Sequence, residues 1–270
     1  MTIGFLGVGN MGSAMLHGIA ASELCRSGEI TGIYAYDANT EKCQSLRQEG
    51  VTVCENEQAL CDAVDFLILA VKPQVLADVL DSIRIRPQQV VISICAGISA
   101  EMIRSHTLPN AKIILVMPNT PLMLGEGASA LAKCDGVSEE EFALAMKMFA
   151  TCGVAEEIPE QKMREIIAVN GSSPAFLYLY AKAFLDYAGA EGIDSKAALS
   201  LFAQSMIGSA KMLTDSGYSV DALIRMVSSP GGTTLAGLDR LYEGKLEETV
   251  KKCCESCTAR AYALAGEEKK

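Results

Sequence analysis

Short apolar runs alternate with amphipathic stretches along the first part of the chain. Thr2–Leu6 reads as a buried strand that runs into a glycine cluster, and a helical pattern follows from Met11 to about Leu24. Ile30–Tyr36 predicts a second strand and Thr40–Gln48 a helix. Phe66–Val71, Val90–Ile94 and Lys112–Met117 are three further runs of strand length, with helical stretches at Val75–Ser82 and Ala100–Ser105 between them. Continuous apolar runs separated by helices are what a parallel sheet covered on both faces requires. The pattern therefore predicts a doubly wound α/β domain. After Pro159 the strand signal fades. Ala175–Gly189, Ser195–Leu213 and Glu247–Leu264 carry helical periodicity with broad apolar faces, and the Asp194-Ser195 and Asp215-Ser216-Gly217 segments supply start and stop signals around the second of them.

Composition fits this picture. The 270 residues are 50% hydrophobic and 21% charged, enough for a real core and for one or two domains of about 150 residues each. The expected division is an α/β domain over 1–160 and an all-α domain over 161–270. The net charge of −10 falls wholly on the first of these, and the second is balanced. An acidic chain disfavours nucleic acid as a partner. The amino terminus shows no basic leader and no apolar run approaches the roughly 20 residues of a bilayer span, so a cytoplasmic chain without membrane contact is expected. Ten cysteines without a secretion signal point to free thiols in a reducing compartment. Cys253, Cys254 and Cys257 cannot by themselves complete a tetrahedral site, and the only histidines, His17 and His106, are far away in sequence, so no metal is expected. A broad apolar helical surface at zero net charge suits burial against a second copy of the chain, although such faces also occur inside monomers.

The motifs say more. Gly7-Val8-Gly9-Asn10-Met11-Gly12 is G-x-G-x-x-G between a predicted strand and a predicted helix. In this setting the first glycine permits the tight turn, the second lets the backbone approach a pyrophosphate, and the third allows close packing. Asp37 closes the second strand, where a carboxylate either hydrogen-bonds an adenosine ribose or caps the next helix. Lys42 is the nearest cation after it, which argues that NADH is at least usable. Lys72, in Ala70-Val71-Lys72-Pro73-Gln74, sits at the carboxyl end of a strand, either beside a cofactor or as a solvated lysine opening a helix. Met117-Pro118-Asn119-Thr120-Pro121 makes a rigid loop at the same sheet edge. Ser228-Ser229-Pro230-Gly231-Gly232-Thr233-Thr234 is either an anion-accepting helix start or a helix–helix turn capped by Thr233 or Thr234. No acid–base pair or nucleophile elbow stands out, which suits hydride chemistry carried by a cofactor.

Together with Gly171-Ser172-Ser173-Pro174-Ala175-Phe176, these motifs resemble the pyrroline-5-carboxylate reductase family over essentially the whole chain. The resemblance implies a Rossmann domain followed by a helical domain through which two chains interlock into a homodimer or a larger assembly of dimers. It implies reduction of L-1-pyrroline-5-carboxylate to L-proline by NADPH or NADH. Cofactor contacts then map onto Gly7, Val8, Gly9, Asn10, Met11 and Gly12, onto Asp37, Asn39 and Asn56, onto Ala70, Val71, Lys72 and Pro73, and onto Cys95 and Ala96. Substrate contacts map onto Ser229, Gly231, Gly232, Thr233 and Thr234, reaching the cofactor of a partner subunit. A cyclic imine accepts hydride once its nitrogen is protonated, and the Thr234 hydroxyl is the candidate to bond that nitrogen. The chain departs from the family pattern at Asn170, Ser173, Val220 and Asp37, where serine, glycine, proline and other residues are usual. A 3-hydroxy acid dehydrogenase is the competing enzyme class, but the glycine that accompanies its catalytic lysine is missing from the run ahead of Lys182. A nucleotide-binding protein without turnover is the competing non-enzyme.

Overall fold

The computed structural model describes residues 1–44 and 46–265; Ser45, inside the predicted helix Thr40–Gln48, and residues 266–270 lie outside it. Packing divides the described residues into two compact units, one formed by 1–174 with 256–265 and the other by 175–255.

The first unit is built on an eight-stranded sheet: β1 (Thr2–Leu6), β2 (Gly32–Tyr36), β3 (Thr52–Val53), β4 (Phe66–Leu69), β5 (Val90–Ser93), β6 (Lys112–Met117), β7 (Gly127–Lys133) and β8 (Gly153–Glu157). Their order is β3-β2-β1-β4-β5-β6-β7-β8. The switch from leftward to rightward winding falls between β1 and β4, which pair in parallel from Ile3 opposite Phe66 to Leu6 opposite Leu69. In an open α/β sheet a ligand crevice forms at this point, beyond the carboxyl ends of the strands.

Side-chain alternation explains why the central strands read as continuous apolar runs. Phe66 and Ile68, Val90 and Ile92, Ile114 and Val116 enter one core with α1 (Asn10–Ala20), while Leu67, Leu69, Val91, Ile113 and Leu115 enter the other. Between α1 and β4 lie three short helices, α2 (Glu23–Arg26), α3 (Glu41–Gln44) and α4 (Glu57–Ala63). The predicted first helix divides at Ser22, which starts α2. Further along are α5 (Leu76–Ser82), α6 (Ala100–Ser105) and α7 (Glu139–Ala150). Leu60 of α4, Leu80 of α5 and Ile103 of α6 cover the second face, and Phe142, Met148 and Phe149 of α7 cover the first.

The far edge of the sheet was not legible from the apolar runs. Strand β7 runs antiparallel to β6, with Met117 opposite Ala130, so the sheet is mixed. A short connection suffices for an antiparallel neighbour, and here it holds a 3₁₀ turn over Thr120–Leu124. Strand β8 then pairs in parallel with β7 after the crossover through α7.

Charge and element type change near residue 160, but the packing divides at Pro174. Met163, Ile166 and Ile167 belong to the second core, and a π-helical turn over Ile167–Gly171 carries Asn170 against the sheet. The Asn170 amide donates to the carbonyls of Met117 at 2.8 Å and Ala128 at 3.0 Å. Asparagine at this position thus spends one amide nitrogen on two strand carbonyls.

The second unit is helical: α8 (Ser173–Ala190) and α9 (Ser195–Asp215), then α10 (Val220–Met226) and α11 (Thr233–Glu243), and the amino-terminal half of α12 (Leu246–Leu264). Helices α8 and α9 meet through Phe184 and Phe202, stacked at 4.5 Å, with Tyr180 at 5.0 Å from Phe184. Within residues 175–255 the only buried apolar residue is Ala188. Leu179, Tyr187, Leu201 and Val227 are each more than 60% exposed.

All ten cysteines are free thiols. Burial pushes Cys61 and Cys95 up to about 11 and Cys134 up to about 12. In the unfolded chain these thiols ionise around 9, so the folded state holds protons that the unfolded state releases above that pH. This contribution to stability is fully present below pH 9 and is lost as the pH rises from 9 toward 11 to 12, through the folded-state values of these thiols. The urea midpoint should drop from pH 8 to pH 10.5, and Cys61→Ala or Cys134→Ala should flatten that slope. An unchanged slope in both variants would remove Cys61 and Cys134 as its cause.

Candidate active site

The glycine loop between β1 and α1 shows three different reasons for its three glycines. Gly7 has φ +100°, and a Cβ there would stand 2.6 Å from the Ala70 carbonyl oxygen. At Gly12 a Cβ would stand 2.3 Å from the Gly7 carbonyl oxygen and 3.2 Å from the Ala70 Cβ. At Gly9 a Cβ would meet nothing within 4 Å. The first and third glycines let the chain pack on itself, and the second faces empty space that a phosphate can enter. Gly9 is also the N-cap of α1 and supplies no side-chain cap, and the first turn of that helix holds no acidic residue. The unpaired amides of α1 are therefore left for an anion. The side chains of Asn10 and Met11 lie in this first turn, and Val8 is buried.

Gly7, Gly9, Asp37, Ala70, Val71 and Lys72 line one cavity of about 390 Å³ at the carboxyl ends of β1, β2 and β4. Its size lies within the range of small-molecule sites. Tyr36, Ala38 and Glu57, to which the sequence reading gave no site role, line it as well, as does Lys42, which that reading named only as the nearest cation. Burial, then the Glu57 carboxylate, raises the Tyr36 phenol above its ordinary value. Pro73 begins the 3₁₀ turn that leads into α5, with Lys72 as its cap residue in extended conformation.

The Asp37 carboxylate ties the cavity together. Its Oδ2 accepts from the Val8 amide at 2.9 Å and its Oδ1 from the Asn39 amide at 2.9 Å. Its role is thus wider than either sequence reading: it bridges β2 to the glycine loop. Asn39 Oδ1 in turn accepts from the Glu41 amide at 3.1 Å. Asn56 is the N-cap of α4 and accepts from the Ala59 amide at 2.8 Å.

Cys95 is buried and lies at a separate, smaller cavity of about 40 Å³ with Ser93, Gly97 and Met117, at the ends of β5 and β6. Its Sγ donates to the Val71 carbonyl at 3.3 Å, which links this loop to the end of β4. Ala96 beside it is exposed. In the rigid Met117–Pro121 loop, Asn119 Oδ1 accepts from the Ala128 amide at 2.9 Å, which fastens the loop to β7.

The loop ahead of α11 is described within its own unit. The Gly232 amide donates to the Ser229 carbonyl at 3.0 Å, and Gly231 has φ +70°. Proline followed by a glycine of positive φ in a four-residue turn is the type II pattern. A Cβ on Gly232 would stand 2.6 Å from Ser229 Oγ, so the turn closes tightly. Gly232 is the N-cap of α11 and offers no side-chain bond. Thr233 and Thr234 are the first residues of the helix itself, so neither is the cap that one sequence reading allowed. The leading amides of α11 are uncapped, and both threonines are exposed with no hydroxyl partner in the chain among the described residues. This start can receive a carboxylate while offering hydroxyl donors.

Lys182, the position weighed for a dehydrogenase lysine, pairs with Asp186 one turn along α8 and is exposed. Cys257 lies against Ser172 Oγ at 3.2 Å. Among the described residues no three His, Cys, Asp or Glu side chains are grouped to hold a metal ion, and no helix is long and apolar enough to cross a membrane.

Comparison with known proteins decides the kinship. A Methanosarcina acetivorans protein named pyrroline-5-carboxylate reductase is 35% identical over 243 residues, 89% of each chain. The chain belongs to the pyrroline-5-carboxylate reductase family. Residues 160–264 match the family profile described as pyrroline-5-carboxylate reductase dimerisation, and residues 2–97 match that of coenzyme F420-dependent NADP oxidoreductases. The solved 1-pyrroline-5-carboxylate reductase of Streptococcus pyogenes superposes with a TM-score of 0.87 at 29% identity, covering 97% of this chain and 98% of that one. The Plasmodium falciparum pyrroline carboxylate reductase solved with NADP bound gives a TM-score of 0.84 at 28% identity over 98% of each chain. An amino-terminal Rossmann-type region followed by an all-α region is the architecture of this family.

Proposed function

We propose that this protein reduces L-1-pyrroline-5-carboxylate to L-proline with NADPH or NADH. The observation that carries the reading is that the match to the Streptococcus reductase spans 97% of the chain, while the two profile matches, over 2–97 and 160–264, take in the glycine loop and the Ser229–Thr234 turn. The reduced nicotinamide supplies the hydride when bound. Gly7, Gly9 and Gly12 shape the cradle for its pyrophosphate, the uncapped amides of α1 face that charge, and Lys72 adds a cation at the rim. Cys95 and Ala96 stand beyond the end of β5, where the family resemblance places further cofactor contacts.

The substrate is a five-membered cyclic imine that carries one carboxylate. The uncapped start of α11, with Ser229 and Gly231–Thr233, holds the carboxylate. The Thr234 hydroxyl orients the ring nitrogen, which is protonated before hydride reaches the adjacent carbon. No strong general base is needed, consistent with the absence of any acid–base pair in the motifs. The helical region is the self-association surface, through which the loop of one subunit serves the cofactor of its partner.

Asp37 leaves room for NADH, because a carboxylate at this position bonds an unphosphorylated ribose. The decisive assay follows the near-ultraviolet absorbance of each reduced coenzyme with the imine. Oxidation of at least one coenzyme is expected; oxidation of neither overturns the assignment.

A further inference from the structure

The cavity beside the glycine loop carries a charge arrangement that bears on which coenzyme it takes. In sequence Lys42 stands five residues beyond Asp37, but the turn into α3 brings its ammonium back to 3.6 Å from Asp37 Oδ2. Both residues line the cavity. The Val8 and Asn39 amides donate to this carboxylate, and Lys42 faces it as an ion pair beyond hydrogen-bond distance. A carboxylate has about four lone-pair directions, so with two amides bound it still has room for a ribose hydroxyl. Asp37 is 13% exposed and fixed, whereas Lys42 is 46% exposed and sits on a flexible stem.

The other charged groups on this cavity are Glu57 and Lys72. Lys72 stands at the end of β4, beside the glycine loop and the pyrophosphate cradle. Arg47 lines a neighbouring cavity with Thr40 and Cys43 rather than this one. Lys42 is therefore the cation at the β2 edge, where an adenosine ribose meets Asp37. Alone, Asp37 would repel a phosphate on the 2′ position of that ribose. Paired with Lys42 its charge is offset, and the same ammonium is free to turn onto the phosphate.

We infer that Lys42 determines coenzyme selectivity: it admits the 2′-phosphate of NADPH beside a carboxylate that by itself would select NADH. The inference rests on the cofactor half of the proposed function and deepens it. The test is calorimetric titration of the full-length protein with ADP-ribose and with 2′-phospho-ADP-ribose, neither of which requires turnover. Lys42→Ala should raise the dissociation constant of the 2′-phosphorylated ligand relative to that of ADP-ribose at least 10-fold. Lys42→Arg should keep the ratio within threefold of the wild type. A ratio that stays within twofold in Lys42→Ala, or an equal loss for both ligands, overturns the inference. Failure of the reductase reading is distinct: a wild-type chain that binds both ligands but oxidises neither coenzyme with the imine counts against turnover, not against Lys42.

Discussion

Replacing Gly12 with valine should abolish coenzyme binding and weaken the amino-terminal unit together. The Cβ of any substituent would stand 2.3 Å from the Gly7 carbonyl oxygen, a backbone atom that cannot move without opening the loop. Valine adds two further methyls toward Ala70, whose Cβ is already within 3.2 Å of that position. Overpacking of this kind costs about 3 kcal/mol. Loss of loop geometry should weaken NADPH more than 100-fold in a fluorescence titration, which is unusually clean because the chain has no tryptophan. Gly9→Ala separates the two effects. Its methyl would meet nothing in the protein, so the urea midpoint should hold while binding falls, because the methyl occupies the space assigned to the pyrophosphate. Wild-type affinity in Gly9→Ala would place the pyrophosphate elsewhere.

Thr234→Ala should lower kcat about 100-fold, the scale expected when one well-placed donor is removed from a reacting centre. Little stability should go with it. Thr234 is exposed in the first turn of α11, and alanine is the better helix former, so folding should change by less than about 0.5 kcal/mol. Thr234→Ser keeps the hydroxyl and should recover most of the rate. A stable Thr234→Ala enzyme with wild-type kcat would remove the hydroxyl from the chemistry and leave this loop only its carboxylate-binding role.

The parts legible in the sequence were those whose cause is local. Each glycine in Gly7–Gly12 answers to a turn, a gap or a close approach among neighbours, and the central strands announce themselves because both of their faces are buried. Strands β7 and β8 escaped because Gly-Ala-Ser-Ala-Leu-Ala-Lys is poor in β-branched residues and Gly-Val-Ala-Glu-Glu is half polar. Helix α7 did carry a readable signal: Ser138 and Glu141 form a reciprocal capping box at its start. Within the candidate site, the position of Asp37 was legible and its partners were not. Its bond to the Val8 amide joins residues 29 apart in sequence, and the return of Lys42 depends on a single short helical turn. Asn170 likewise shows its function only once Met117 and Ala128 are brought to it by the π-helical turn.

The near absence of an interior in residues 175–255 has a thermodynamic consequence. Helix α9 runs for 21 residues with none of them buried. Ordering a backbone costs about 1–2 kcal/mol per residue, and a lone copy of this region hides too little apolar surface to offset that. With the proposed pairing of subunits, the missing interior forms between chains, and its contribution scales with the logarithm of protein concentration. Tenfold dilution then removes about 1.4 kcal/mol from the folded pair. The melting temperature of the carboxyl-terminal region becomes a property of the solution as much as of the molecule.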